Sequence, residues 1–211
     1  MKRRLFILGG ILAAAATIVG GGVIGYVVRT EKAQSKRNAK LADYKKPAEN
    51  TAKTLVVCFS RSGNTELMAH EIARTYSADI VRLEAEDYRL GLMGWINAMK
   101  DARGENAVIT PETVDLSAYD RVFIGSPIWL YSPAPPVWQF VAANDFAGKD
   151  VVLFNTFNSK FEPSFIDQFR ANVEARGGKL SNHIWVNRGR MTDQIDAEPM
   201  LRQARLQIQR L

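Results

Sequence analysis

A chain of 211 residues, 46% hydrophobic and 24% charged, holds material for one folded domain plus an appendage and shows no internal repeat or low-complexity tract. Its net charge of +6 is unevenly held: residues 1–52 carry 10 Lys+Arg against 3 Asp+Glu, net +7, while residues 53–211 carry 18 against 19, net −1. The domain therefore offers no positive excess for a phosphate backbone, which argues against a nucleic-acid partner, and a lone cysteine excludes an intramolecular disulfide and a cysteine-rich metal site.

The chain opens with Leu5 to Val28, 24 residues without a charge. At about 1.5 Å of rise per residue a helix of that length spans a hydrocarbon core of about 30 Å. A signal peptide is the competing reading, but its apolar region is shorter and ends in a small-x-small site, whereas Val23 to Arg29 is bulky. The segment, residues 1–28, is thus expected to be an uncleaved transmembrane anchor. Orientation signals conflict. Seven Lys/Arg within 18 residues of its end favour a cytoplasmic domain, while Arg3-Arg4-Leu5-Phe6-Ile7 resembles a twin-arginine export signal. Residues 29–52 read as a basic, flexible linker.

Leu55 to Phe59 is an apolar, valine-containing run expected to be a buried strand, and it stops at Ser60-Arg61-Ser62-Gly63-Asn64-Thr65 before an amphipathic helix, Glu66 to Tyr76. A strand-to-helix turn of this kind gathers free backbone N–H groups, hydroxyls and the positive end of a helix dipole, a combination suited to phosphate. Gly63 permits close backbone approach and Asn64 tolerates left-handed geometry. Neither the nucleoside-triphosphate loop nor the dinucleotide glycine fingerprint is present. Cys58 lies inside the strand, and Asn64 stands where a phosphatase loop needs arginine. The plainer alternative is a Ser/Asn turn that only caps a helix.

Asp79 to Glu84 reads as a second strand near a sheet edge and Leu90 to Ala102 as a helix whose Leu92, Trp95, Ile96 and Met99 form a stripe read as core first and cofactor contact second. Gly104 to Tyr119 is a surface connection. Arg121 to Gly125 is the third strand. Four prolines in Ser126-Pro127-Ile128-Trp129-Leu130-Tyr131-Ser132-Pro133-Ala134-Pro135-Pro136 then predict a rigid loop without a ladder. Helices over Pro135 to Ala143, Pro163 to Arg176 and Ala197 to Arg210 alternate with strands over Asp150 to Thr156 and Asn182 to Val186. This alternation predicts a doubly wound α/β layer, with ligands beyond the carboxyl ends of the strands, where the loops after Phe59, Gly125 and Thr156 meet. His70 and His183 lack metal-ligand spacing, and Arg188 and Arg190 read as a solvated basic loop.

From Lys53 to about Leu211 the sequence resembles the flavodoxin family. The Ser60–Thr65 turn is similar to the family's [ST]-x-[ST]-G-x-T loop for the phosphate of flavin mononucleotide (FMN), and Gly125-Ser126-Pro127-Ile128-Trp129 to its second flavin loop. The resemblance implies a flavodoxin-like five-stranded parallel sheet with helices on both faces, behind the N-terminal transmembrane helix. It implies that Ser60, Arg61, Ser62, Gly63, Asn64 and Thr65 surround the phosphate. Ser126, Pro127, Ile128, Trp129 and Tyr131 would line the isoalloxazine, and Thr156, Asn158 and Ser159 would face the pyrimidine edge. Three departures stand out: the third loop, Phe157-Asn158-Ser159-Lys160-Phe161, lacks the family's glycine- or tyrosine-bearing pattern, Leu130 replaces the glycine many flavodoxins place after the second loop, and the domain is nearly neutral where typical members are acidic.

The resemblance implies a membrane-tethered FMN electron carrier between redox partner proteins, with no catalytic side chain. The same features admit a nicotinamide-nucleotide-dependent FMN quinone reductase acting on a membrane quinone, and a flavin-less interaction module is the third reading.

Overall fold

The computed structural model describes residues 22, 25–47, 53–190 and 193–211. Six strands and six helices are laid out along it: helix α1 (residues 25–39), β1 (Thr54–Phe59), α2 (Asn64–Tyr76), β2 (Asp79–Leu83), α3 (Leu92–Lys100), β3 (Arg121–Trp129), β4 (Ser132–Pro133), α4 (Pro135–Ala143), β5 (Asp150–Phe157), α5 (Pro163–Ala175), β6 (Lys179–Asn187) and α6 (Ala197–Ile208).

Strand order is β2-β1-β3-β5-β6, all parallel, with β4 attached antiparallel to the end of β3. Without that two-residue strand this is the doubly wound order in which the crossover direction reverses beside the first strand, so a crevice opens at the carboxyl ends of β1 and β3. Side chains alternate across the sheet. Leu55, Val57, Val122, Ile124, Val151 and Leu153 pack under α3, α4 and α5, whereas Val56, Cys58, Phe123, Val152 and Phe154 pack under α2 and α6. Burial on both faces explains the continuous apolar runs of the central strands.

The five long strands and the helices after β1 agree with the sequence reading, and β2 is an edge strand as its alternation predicted. Three local expectations are corrected. The proline-rich stretch does not end the ladder. Strand β3 continues through Pro127 to Trp129, pairing Pro127 with Thr156, and turns at Leu130 and Tyr131 so that Ile128 and Trp129 face Pro133 and Ser132. Proline is tolerated because the Pro127 carbonyl still accepts, from the Ala134 N–H at 3.1 Å. Both turn residues have positive φ, 41° and 79°, as the tightest hairpin turns demand. In α3 the fully buried residues are Gly94 and Ala98; of the predicted core stripe Met99 packs against the core, Trp95 is half-buried, and Leu92 and Ile96 are exposed.

The third correction concerns the linker. Residues 25–39 form helix α1, and Glu31, Gln34 and Asn38 at spacings of three and four are buried against the domain. The chain beyond it is pinned as well: the Tyr44 N–H donates to His70 Nδ1 and its hydroxyl to the Ala78 carbonyl. Among the described residues no helix is long and apolar enough to cross a membrane. Residues 1–21, 23 and 24, which carry most of the predicted Leu5–Val28 span, lie outside them.

At Gly125, in the middle of the sheet, a Cβ would stand 2.0 Å from the ring of Phe154. Gly125→Ala is expected to cost about 1–3 kcal/mol through overpacking, read as a lower urea midpoint at unchanged slope.

Candidate functional site

The β1–α2 turn is built by one left-handed residue. Gly63, at φ 83°, caps α2 and lets the chain reverse from strand into helix. Asn64 and Thr65 follow as the first helical residues, both buried, with Ser60 and Arg61 buried ahead of them. The first backbone N–H groups of α2 have no partners inside the helix. The Thr65 hydroxyl meets the Thr156 hydroxyl at 2.8 Å, tying this turn to the end of β5.

The second loop is held from beneath. Asn155, fully buried in β5, donates through Nδ2 to the Ser126 carbonyl at 2.9 Å, and its Oδ1 accepts from His183 Nε2 at 2.8 Å. The Ser126 hydroxyl accepts from the Ala134 N–H and donates to the Pro127 carbonyl. Ser126 therefore spends its polar groups inside the protein and does not line the cleft, which corrects its reading as a ring contact. It positions Pro127, Ile128 and Trp129, which do line it. Trp129 is wedged edge-on against Phe59 and Tyr88, at centroid distances of 5.6 and 5.2 Å.

Two cavities share this wall. The inner cleft, about 80 Å³, lies among Ser60, Arg61, Ser62, Asn64, Thr65, Thr156 and Asn158. The outer cavity, about 420 Å³, is bounded by Trp95, Met99, Ile128, Trp129, Leu130, Tyr131, Phe157, Asn158, Ser159 and Lys160. Of the residues expected around the ring, Tyr131 and Ser159 belong to the outer cavity only. The Tyr131 ring lies between Arg103 and Lys160, with cations 5.6 and 5.1 Å from its centroid.

Several residues of the site escaped the sequence reading. Arg188, expected in solvent, is buried just beyond β6: its Nη1 donates to Asn64 Oδ1 at 2.5 Å and its Nε to the Ile195 carbonyl. Arg190, by contrast, is exposed as expected. Phe157 lines both cavities from the last position of β5. From α1 come Glu31, whose carboxylate pairs with Arg61 at 3.0 Å, Gln34, which donates to Gln194 Oε1, and Asn38, which donates to the Ser62 carbonyl and to Asn64 Oδ1, each at 2.8 Å. Burial pushes the Glu31 carboxyl above the usual range, against the pull of Arg61, and pushes the Arg61 guanidinium below its own, against the pull of Glu31. Arg61 Nε is buried with no hydrogen-bond partner among the described residues.

A family model described as flavodoxin matches residues 53–196. The chain belongs to the flavodoxin family. Solved structures share its fold. A flavoprotein of Bacteroides uniformis is 22% identical, with a TM-score of 0.56, covering 67% of this chain and 94% of that one. A flavoprotein of Lactobacillus acidophilus, solved in complex with FMN, is 21% identical with a TM-score of 0.51, over 64% and 93%. A third, from Bacteroides eggerthii, is 20% identical with a TM-score of 0.55, over 75% and 98%. None of the curated proteins compared with it matches this chain. The phosphate of the family's cofactor, FMN, fits what this flavodoxin's turn offers: an orphaned guanidinium nitrogen, three hydroxyls and a helix N-terminus.

The support beneath the second loop is pH-sensitive. Burial and the nearby Arg170 push the His183 imidazole down to about 4 from an ordinary 6.5. The unfolded chain takes up this proton first, so the stabilisation is complete above about pH 6.5 and is lost as the pH falls toward 4. Urea unfolding between pH 7 and pH 4 should show a loss on the order of 3 kcal/mol in the native chain that His183→Gln does not show.

Proposed function

We propose that this chain is an FMN-binding flavoprotein that carries electrons between redox partners and is held at a membrane by the uncharged stretch Leu5–Val28. The observation that carries the reading is the convergence of the β1–α2 turn with the ends of β3 and β5, where the buried Arg61 Nε lacks an acceptor. When bound, the flavin supplies the redox chemistry. The residues of the chain bind and shelter it. The hydroxyls of Ser60, Ser62 and Thr65, the first N–H groups of α2 and the Arg61 side chain hold the phosphate. Pro127, Ile128 and Trp129 form a stiff, largely apolar wall that excludes water from the ring and disfavours added negative charge there. Thr156 and Asn158 offer polar groups at its edge.

No side-chain nucleophile is needed. Cys58 is fully enclosed in β1 and its thiol is pushed up to about 12, so it stays protonated. With a nearly neutral domain, long-range steering of partners is weak, and confinement at a membrane would raise their effective concentration instead.

One observation favours a second reading, an FMN-dependent quinone reductase. The outer cavity has room for a small flat molecule beside Trp129 and Tyr131. Reduced nicotinamide nucleotide, quinone and the FMN-loaded chain, mixed without other proteins, separate the two. The carrier reading expects no turnover, and steady turnover would favour the reductase.

Titrating FMN into the full chain, followed by visible absorption and flavin fluorescence, tests the cofactor itself. Binding at one equivalent is expected. Thr65→Val should weaken FMN by about 10- to 100-fold, the worth of a hydrogen bond to a charged group, and leave riboflavin nearly unaffected. A chain that never binds flavin would return the turn to a simple helix cap.

A further inference from the structure

Helix α1 buries a polar stripe. A helix lying on a domain ordinarily turns its apolar side inward. Here the inward positions are Glu31, Gln34 and Asn38, at 7%, 2% and 2% exposure, and all three reach the flavin turn or the loop beside it. Asn38 lies over Gly63, so close that a Cβ on that glycine would stand 2.8 Å from Asn38 Cβ. Glu31 puts a carboxylate on Arg61, and Asn38 occupies the Asn64 side chain together with Arg188. These are the groups that would otherwise be offered to a phosphate. With α1 seated, Glu31 and Gln34 form part of the wall of the inner cleft, which encloses about 80 Å³ beside the phosphate turn.

We propose that α1 is a built-in competitor for the flavin site: it seats Glu31 and Asn38 on the phosphate turn when FMN is absent and must lift for FMN to enter. The proposal rests on the flavin reading above.

Three features make α1 displaceable. Its contacts with the turn are polar, and such contacts exchange for water at little net gain. The Glu31–Arg61 pair is one whose burial works against both charges, so its seating is only weakly favourable. A pivot is also present, since α1 ends at Ala39 and Lys40 and Leu41 form a turn after it, while Tyr44 and Lys46 are held by His70, Ala78 and Asp79. The helix can swing without releasing the chain that follows it. A seated competitor lowers apparent affinity by the fraction of molecules that are open.

The test uses the full chain, its Asn38→Ala and Glu31→Gln variants and the double variant, each titrated with FMN and with riboflavin. Amide hydrogen exchange over residues 29–39 is followed with and without FMN. The double variant should bind FMN about tenfold more tightly, with a smaller change for riboflavin, and FMN should speed exchange in α1 of the native chain. Weaker FMN binding by the variants, or slower exchange in α1 with FMN, would make the helix part of the binding site and overturn the proposal. Unchanged FMN affinity with unchanged exchange would also overturn it, leaving the flavin reading intact. Absence of flavin binding in every variant would remove both.

Discussion

The carboxyl ends of β1, β3 and β5 meet at the first turn of α2, and the polar groups gathered there need partners in a place largely closed to water. An unpaired buried donor costs more than a paired one returns, so this junction governs what surrounds it. Thr65 answers Thr156 across the crevice. Asn155 answers Ser126 from below, with His183 behind it. Arg188 and Asn38 converge on the Asn64 side chain from opposite ends of the chain. Among the described residues the junction closes except at Arg61, whose Nε is left over.

That pattern joins scaffold to function. The sheet supplies rigid strand ends, and rigidity is what a cofactor site needs, because the flavin performs the chemistry and the protein sets its position and surroundings. The second loop shows how the rigidity is achieved. Pro127 sits in a ladder that proline usually disrupts, the turn at Leu130 and Tyr131 adopts left-handed geometry without glycine, and Ser126 gives up its hydroxyl to hold both in place. Leu130 thus occupies a backbone conformation that glycine would enter more easily.

The sheet was legible in the sequence because its central strands are buried on both faces and appear as unbroken apolar runs, with glycine and proline marking the helix ends. The β1–α2 turn was legible because hydroxyls and glycine are packed into six residues. Ser126 was misread because spacing alone does not distinguish a group facing a ligand from one facing Asn155. Arg188 was misread because an arginine beside a glycine beyond a strand resembles a surface loop, and only the return of α6 over that loop buries it. The α3 stripe holds only in part, because helical spacing selects a face but not the direction it points: Met99 packs on the core while Leu92 and Ile96 are exposed, and the small residues Gly94 and Ala98 are the buried ones. Helix α1 was hidden by composition. Its basic residues suggested a solvated tether, while the informative pattern, Glu31, Gln34 and Asn38 along one side, is polar and resembles no core stripe.

The most direct test of the account is a crystal structure of the full chain grown with FMN. The account predicts phosphate at the first turn of α2, touching Thr65 and Arg61, with the ring along Pro127 to Trp129 and Asn38 withdrawn from Asn64. Phosphate bound away from that turn, or FMN seated elsewhere with Glu31 still paired to Arg61, would contradict it.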